Sequence, residues 1–279
     1  FKGMVGIYVM RILVLGSSGV VGSALSTHLR SVGHDVTDWD IELSPKHDLS
    51  NPTNTFHLKR AIDASDFVWF LAYDVGGSKY LQDMTIDFMN RNCAIMSNTF
   101  SLLAGKKFVF ASSQMQNMMD NAYGVLKCLG EHYTQNMGGL SMRFWNVYGN
   151  EPVGEKSHVI PDFIHQAKTE GHIHMLTDGE EERQFLYTTD CSKCLEAIMN
   201  NYDEILDTGR TSVDVTNHVW TKIKDVAEMI APGQVVAKEG KKDVTQTIRN
   251  EPDDFILKYW KPEITLEQGI KIMQIEKRS

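Results

Sequence analysis

Two side chains four positions apart, Tyr123 and Lys127, have the types and spacing of a proton-transfer pair. On a helix, residues four apart share one face, so this ammonium lies near this phenol. A nearby cation lowers the pKa of a phenol, which makes tyrosine usable as a general acid or base, and the same lysine can hold a cofactor ribose. Ser112 and Ser113 end an apolar segment ahead of the pair, at the kind of strand end where open α/β sheets bind ligands. The pattern predicts a reacting centre of serine, tyrosine and lysine.

A glycine-rich turn offers a place for a cofactor phosphate. Gly16, Gly19 and Gly22 recur at three-residue spacing where a short apolar strand ends and a helix that runs through residues 24–29 begins. Without Cβ atoms the backbone can approach a pyrophosphate closely, and the free N–H groups and dipole of the helix stabilise its charge. We therefore expect a dinucleotide to bind at this turn.

An acidic residue after the second strand bears on which dinucleotide binds. Asp40 lies eighteen residues beyond Gly22, where a carboxylate accepts hydrogen bonds from the ribose hydroxyls of NAD and repels the 2′-phosphate of NADP. Ser18 stands where an NADP enzyme can present an arginine. The sequence therefore favours NAD over NADP. Asp48, next to Leu49, either faces the adenine amino group or caps a helix.

The elements that would position these residues alternate between strand and helix. Apolar, β-rich segments lie at residues 10–15, 36–40, 67–71, 108–111 and 141–144, with long helical stretches between them. This alternation predicts an α/β fold with a Rossmann-type, doubly wound parallel sheet. After Gly149 the rhythm changes, which indicates a smaller C-terminal α/β lobe interleaved with the sheet. We expect an NAD-binding domain at residues 10–148 plus 184–215 and a substrate-binding lobe at 149–183 plus 216–279.

Composition and charge narrow the classes of partner. The 279 residues are 42% hydrophobic and carry a net charge of −8, so no positive field attracts nucleic acid or anionic lipid. Four cysteines, in a chain with no secretory segment and no apolar run of about 18 residues, indicate reduced thiols and a cytoplasmic location. His172 and His174 alternate as on a strand, but no cysteine or carboxylate cluster completes a site, so we expect no bound metal.

Further motifs recur in order along the rest of the chain. They are Leu71-Ala72 after the third sheet strand, Asn92 in the next helix, and the segments 143–149, 183–190, 260–262 and 266–269. Together with the glycine turn and the tyrosine–lysine pair, they resemble the extended short-chain dehydrogenases/reductases of the nucleotide-sugar epimerase/dehydratase family. The resemblance implies an NAD-dependent enzyme that acts on a nucleotide-diphosphate sugar. It also implies a homodimer, paired through the helices around Asn92 and Tyr123.

The resemblance assigns roles to positions of this chain. It implies that Ser112, Tyr123 and Lys127 are catalytic, that Asn146 lies near the sugar diphosphate, and that Arg183 supplies a cation for its phosphates. The residues expected to contact the cofactor are Gly16, Ser18, Gly19, Val20, Gly22, Asp40, Asp48, Leu49, Leu71, Ala72, Asn92, Tyr123 and Lys127.

Two segments resemble one branch of the family, the GDP-fucose synthases, which epimerise and reduce 4-keto sugars. They are Val75-Gly76-Gly77 and residues 157–161, Ser-His-Val-Ile-Pro. By that resemblance His158 is an acid in epimerisation, and Gly76 and Gln114 lie at the substrate. Alternatively, His158 is a surface residue that caps the helix near Pro161.

One departure from that branch leaves several activities open. The synthases place a cysteine base where Gln114 stands, and a glutamine cannot remove a proton from carbon. Epimerisation at one centre with another base, or reduction of a 4-keto sugar without epimerisation, remain open. A 4,6-dehydratase is disfavoured, because Ser113-Gln114-Met115 replaces its Thr-Asp-Glu run. A non-catalytic NAD-binding regulatory module on the same fold is the alternative from another class.

Overall fold

The computed structural model of the chain describes residues 9–82 and 85–276. Its strands and helices, in chain order, are β1 (Arg11–Leu15), α1 (Val20–Ser31), β2 (Asp35–Trp39), α2 (Thr55–Ala64), β3 (Phe67–Phe70), α3 (Ser78–Gln82), α4 (Ile86–Phe100), β4 (Lys107–Ser113), α5 (Ala122–Asn136), β5 (Leu140–Phe144), β6 (Asn146–Tyr148), α6 (Val159–Thr169), β7 (Ile173–His174), β8 (Glu182–Tyr187), α7 (Thr188–Asn200), α8 (Tyr202–Asp207), β9 (Ser212–Val215), β10 (Trp220–Lys222), α9 (Ile223–Ile230), β11 (Val235–Val236) and α10 (Leu266–Glu276). None of the helices in these ranges has the length and apolar composition needed to cross a membrane.

Six parallel strands form the main sheet, in the order β2-β1-β3-β4-β5-β9. Helices α1 and α7 bury apolar side chains against one face, and α2, α4 and α5 bury theirs against the other. Because both faces are covered, the central strands are buried along nearly their whole length instead of alternating between buried and exposed residues. The predicted Rossmann-type, doubly wound sheet is confirmed.

A smaller group of elements packs beside the carboxyl end of this sheet. Strand β8 pairs with β6 in parallel and with β10 in antiparallel orientation, and β7 pairs with β11. A separate apolar core joins α6, α9 and α10 to these strands. The 3-10 segment Phe255–Lys258 places Ile256 in a core of the main sheet. The residue limits given above for a cofactor domain and a substrate lobe stay a prediction.

Helix α5 lies across β4 and carries Tyr123 and Lys127 to the carboxyl end of the sheet. Asn121 caps the helix, because its Oδ1 accepts the N–H of Gly124 at 2.8 Å. Gly130 lets the helix approach the strand, since a Cβ at this position would lie 2.3 Å from a ring carbon of Phe110. The beginning of α5 and the ends of β1, β3 and β4 therefore meet along one edge of the sheet, where open α/β sheets bind ligands.

Candidate active site

The glycine turn joins β1 to α1 in a conformation that only glycine accommodates. Gly16 has φ +90°, and a Cβ there would lie 2.7 Å from the backbone nitrogen of Ala72. A Cβ at Gly22 would lie 2.1 Å from the carbonyl oxygen of Gly16. Gly19 is the N-cap of α1, and no side chain caps the first N–H groups of the helix, which starts at Val20. This close-packed turn with free N–H groups fits the pyrophosphate of a dinucleotide.

Asp40 lies beside the glycine turn. Its Oδ2 accepts the backbone N–H of Ser18 at 2.9 Å, and its Oδ1 accepts that of Glu42 at 3.0 Å. The carboxylate is therefore held at the loop, where a ribose bound to the turn would be within its reach. Leu71 is tied to the same region, because its N–H donates to the carbonyl of Leu15 at 2.9 Å.

Three other residues expected at the cofactor either form hydrogen bonds with neighbouring segments or pack into the core. Asp48 accepts the N–H and hydroxyl of Ser50 at 2.9 and 2.6 Å, which forms a local turn, and Leu49 is buried in the core. Asn92 is fully buried, and its side-chain amide exchanges two hydrogen bonds, of 2.8 and 3.0 Å, with the backbone of Asp74. Asn92 thus fixes the segment that follows β3, which contains Ala72.

Lys127 lies one helical turn beyond Tyr123, and both side chains are buried. The Lys127 Nζ donates to the carbonyl of Ala111 at 2.7 Å and lies 5.6 Å from the ring centroid of Tyr123. The ring of Tyr73 covers the same ammonium, with its centroid 3.5 Å away. The ammonium is therefore held by a backbone carbonyl and aromatic faces.

Burial dominates the titration of both groups. It raises the pKa of Tyr123 to about 12, while a hydrogen bond with Ser113 acts in the opposite direction. Burial lowers the pKa of Lys127 to about 7, and the nearby Glu131 carboxylate acts to raise it. The sequence-based expectation that lysine lowers the pKa of this phenol is wrong for the structure, because burial of the phenol is the larger effect. At neutral pH the phenol keeps its proton.

The serine beside the phenol is Ser113, which corrects the expectation that Ser112 lies there. Successive side chains of a strand point to opposite faces, so Ser112 and Ser113 diverge. The Ser112 hydroxyl donates to Glu131 at 2.6 Å, and Glu131 in turn accepts two hydrogen bonds from Arg143, of 2.8 and 2.7 Å. Ser113 lines the same cavity as Tyr123, and its Oγ accepts the N–H of Met115 at 3.1 Å.

A cavity of about 500 Å³ opens at Tyr123 and Ser113. The residues expected at the substrate all line it: Gly76, Gln114, Asn146, His158 and Arg183. The cavity runs between the carboxyl end of the main sheet and the smaller group of elements. The predicted substrate residues therefore line the same cavity as Tyr123.

Two of these residues have partners that the sequence does not indicate. Arg183 forms an ion pair with Asp243, which also lines the cavity, and donates to the carbonyl of Glu182 at 2.7 Å. The side chain of Gln114 accepts a hydrogen bond from Asn250 at 3.0 Å. Asp243 and Asn250 lie far from their partners in the sequence, and no spacing or motif predicts that they contact Arg183 and Gln114.

His158 is oriented by Glu151, another residue that sequence reasoning missed. The Glu151 carboxylate accepts the backbone N–H of His158 at 2.5 Å and lies 3.0 Å from its Nδ1. A carboxylate facing a ring nitrogen favours the tautomer with hydrogen on Nδ1, which leaves Nε2 for proton exchange. His158 is the N-cap of α6 by its backbone, and its side chain does not cap that helix.

Known proteins resemble this chain over nearly its whole length. The family model described as "NAD dependent epimerase/dehydratase family" matches residues 12–213. The chain is 26% identical over 302 residues to GDP-L-fucose synthase of Sinorhizobium fredii, with 93% of each chain covered. It is 23% identical over 301 residues to "Probable GDP-L-fucose synthase 1" of Oryza sativa subsp. japonica, covering 93% of this chain and 89% of the relative.

A solved structure shows the same fold. The epimerase Mth375 from Methanothermobacter thermautotrophicus matches with a TM-score of 0.81 at 20% identity, covering 96% of this chain and 91% of that chain.

Alanine at Gly19 and at Gly22 should have different effects. A Cβ at Gly22 would collide with Gly16, so Gly22→Ala should lower both the unfolding temperature and the affinity for NADH. A Cβ at Gly19 would lie 3.5 Å from the Gly16 carbonyl oxygen, an ordinary contact. Gly19→Ala should therefore keep the unfolding temperature and lose about tenfold or more in affinity, because its methyl group fills space that the pyrophosphate needs.

Calorimetric titration with NADH and thermal unfolding of each variant test this expectation. Gly154→Ala is the control, since a Cβ there would meet nothing within 4 Å. Wild-type affinity in Gly19→Ala would contradict binding at this turn.

Proposed function

The chain belongs to the NAD dependent epimerase/dehydratase family, a family of extended short-chain dehydrogenases/reductases, and from this premise we propose that it epimerises or reduces a nucleotide-diphosphate 4-keto sugar. The observation that carries the proposal is the cavity in which Tyr123 and Ser113 meet Asn146, His158 and Arg183. The amide and guanidinium suit a sugar diphosphate, and the phenol suits the oxygen of a ketone or hydroxyl.

The proposed reduction needs a hydride and a proton. A nicotinamide dinucleotide held at the glycine turn supplies the hydride. Tyr123 keeps its proton at neutral pH, because burial raises its pKa to about 12, and donates that proton to the ketone oxygen. Ser113 donates a hydrogen bond to the same oxygen. The ammonium of Lys127 stabilises the phenolate that remains until solvent returns the proton.

The proposed epimerisation adds a proton transfer at the carbon next to the ketone. His158 is the candidate acid, because it lines the cavity and Glu151 fixes its orientation. Gln114 lines the cavity too but has no basic atom, so a second base of the kind that the GDP-fucose synthases use is missing there. This favours, as a second candidate function, reduction of the 4-ketone without epimerisation. A regulatory NAD-binding module is the remaining alternative, and the position of Tyr123 on the cavity wall, with the buried Lys127 one helical turn away, argues against it.

We expect NADH to bind more tightly than NADPH, because the Asp40 carboxylate at the glycine turn would repel a 2′-phosphate. The preference should be about tenfold or more in dissociation constant, and Asp40→Asn should reduce it by removing the charge. Parallel calorimetric titrations with the two dinucleotides measure it. An equal or higher affinity of the wild type for NADPH would contradict the proposed role of Asp40.

Proton NMR in D₂O tests the activity itself, with a panel of nucleotide-diphosphate 4-keto-6-deoxy sugars and their 4-hydroxy precursors. With NADH, we expect a 4-keto sugar to be reduced, and Tyr123→Phe to lower turnover by about 10²-fold or more while NADH binding is kept. Without NADH, deuterium beside the ketone would establish epimerisation chemistry, and His158→Asn should abolish it. Reduction without exchange would identify a 4-reductase. If no sugar of the panel reacts, or if Tyr123→Phe keeps full turnover, the proposed function is wrong.

A homodimer is part of the proposal, through the outer faces of α4 and α5. These faces expose the apolar side chains Ile86, Met89, Val125, Leu129 and Tyr133. Light scattering should give about twice the 31.6 kDa of one chain. Leu129→Glu should shift the mass toward one chain, whereas Phe56→Glu, on the exposed side of α2, should not. A monomeric wild type would contradict the dimer.

The described cysteines are all free, in keeping with the proposed cytoplasmic location.

A further inference from the structure

Three potential metal ligands converge where helix α6 ends and strand β7 begins. The ligand atoms of Glu170, His172 and His174 all lie within 4.8 Å of one another. The two imidazole rings lie close together at the beginning of β7, with their centroids 4.4 Å apart. The sequence-based expectation of no metal site rested on the absence of a carboxylate beside these histidines. The structure supplies that carboxylate from Glu170.

Hydrogen bonds and strand pairing fix the backbone that carries the three side chains. The N–H of Glu170 donates to the carbonyl of Gln166 at 2.8 Å, and the N–H of His174 donates to the side-chain oxygen of the same Gln166 at 2.9 Å. Gly171, with φ +76°, turns the chain between helix and strand in a conformation that favours glycine. Strand β7 is paired with β11, with His174 opposite Val236. The three ligands are thus presented by the end of α6, the bend that follows Gly171 and the paired strand β7.

Hydrogen bonding fixes the tautomer of one ligand. The Nδ1 of His172 lies 2.8 Å from the carbonyl oxygen of Glu170. A carbonyl can only accept, so Nδ1 carries the hydrogen and Nε2 of the neutral ring presents a lone pair. A backbone carbonyl on the second ring nitrogen is the usual support of a metal-bound histidine. This Nε2 lies 2.7 Å from Nε2 of His174, so the two nitrogens face one point.

From this arrangement we propose that Glu170, His172 and His174 bind a divalent transition-metal ion of the zinc class. Two nitrogens and one carboxylate leave a fourth position of a tetrahedral ion open. Zinc–nitrogen bonds of about 2.1 Å place ligand nitrogens about 3.4 Å apart, so the two rings need to separate by less than about 1 Å. Imidazole ligands select zinc, nickel and copper over magnesium and calcium, which prefer oxygen ligands.

The site lies at the border of the cavity described above. Glu170 and His174 both line that cavity, and both are exposed to solvent. A metal ion bound there would add positive charge to the border of the cavity. Its ligands lie far from Tyr123 in the sequence. Metal binding itself does not depend on the proposed sugar chemistry.

Titration of the 279-residue chain without a histidine tag tests the site. Zn²⁺ should bind by calorimetry, with one strong site, and Co²⁺ should give the visible absorption of a tetrahedral ion. His172→Ala, His174→Ala and Glu170→Gln should each weaken Zn²⁺ by about tenfold or more, since loss of even a supporting contact costs 10–100-fold. His165→Ala, at an exposed position of α6, is the matched control and should keep wild-type affinity.

Several outcomes would overturn the proposal. They are no zinc binding, equal weakening by His165→Ala, or unchanged binding in a variant with both His172 and His174 replaced. Tight Mg²⁺ binding that these variants abolish would contradict the assigned metal class. Circular dichroism and thermal unfolding of each variant check that it is folded, and Glu170→Gln keeps the size and shape of the side chain if an alanine variant is not folded.

Discussion

The contact between helix α5 and strand β4 is the constraint on which the proposed reacting centre depends. A buried ammonium is costly unless it has partners, and Lys127 finds one in the carbonyl of Ala111, on β4, at 2.7 Å. Gly130 permits the helix to come this close, because any side chain there would enter the ring of Phe110. The same packing brings Tyr123, one turn earlier on α5, to Ser113 at the end of β4. One helix–strand contact therefore positions all three members of the centre.

The electrostatics of the centre follow from that burial. Tyr123 is kept protonated at neutral pH, with a pKa raised to about 12, whereas the pKa of Lys127 is lowered to about 7. Behind β4, Ser112 and Arg143 hold the Glu131 carboxylate, which favours the charged form of Lys127. The two neighbouring serines thus belong to different networks. Ser113 faces the cavity, and Ser112 contacts the partly buried ion pair between Glu131 and Arg143.

Local patterns predicted the fold and several residues that line the candidate site. Apolar runs and glycine turns identified five of the six strands of the main sheet to within two residues at their ends, but they did not identify β9. The glycine turn and the tyrosine–lysine spacing could be found because each lies within one short segment. The choice of Ser112 over Ser113 as the serine beside Tyr123 did not match the structure. Successive side chains of a strand point to opposite faces, and the sequence does not show which face borders the cavity.

The remaining site residues come from contacts that sequence spacing does not reveal. Glu151 reaches His158 across a loop, and Asp243 reaches Arg183 from sixty residues away. Glu170 is close in sequence to His172, but its convergence depends on the turn at Gly171. Such contacts are fixed by tertiary packing, so only the folded chain shows them.

The central claim is that Ser113, and not Ser112, acts with Tyr123 on the sugar oxygen. Single-turnover oxidation of bound NADH by a 4-keto sugar, compared between Ser113→Ala and Ser112→Ala, tests it most directly. The account predicts that Ser113→Ala slows hydride transfer by about 10²-fold or more with NADH affinity unchanged, because a hydrogen bond to the reacting oxygen is lost. Ser112→Ala should keep most of the rate and lower the free energy of unfolding by about 1–2 kcal/mol, through loss of its bond to Glu131. A large loss of rate in Ser112→Ala with full activity in Ser113→Ala would contradict the account.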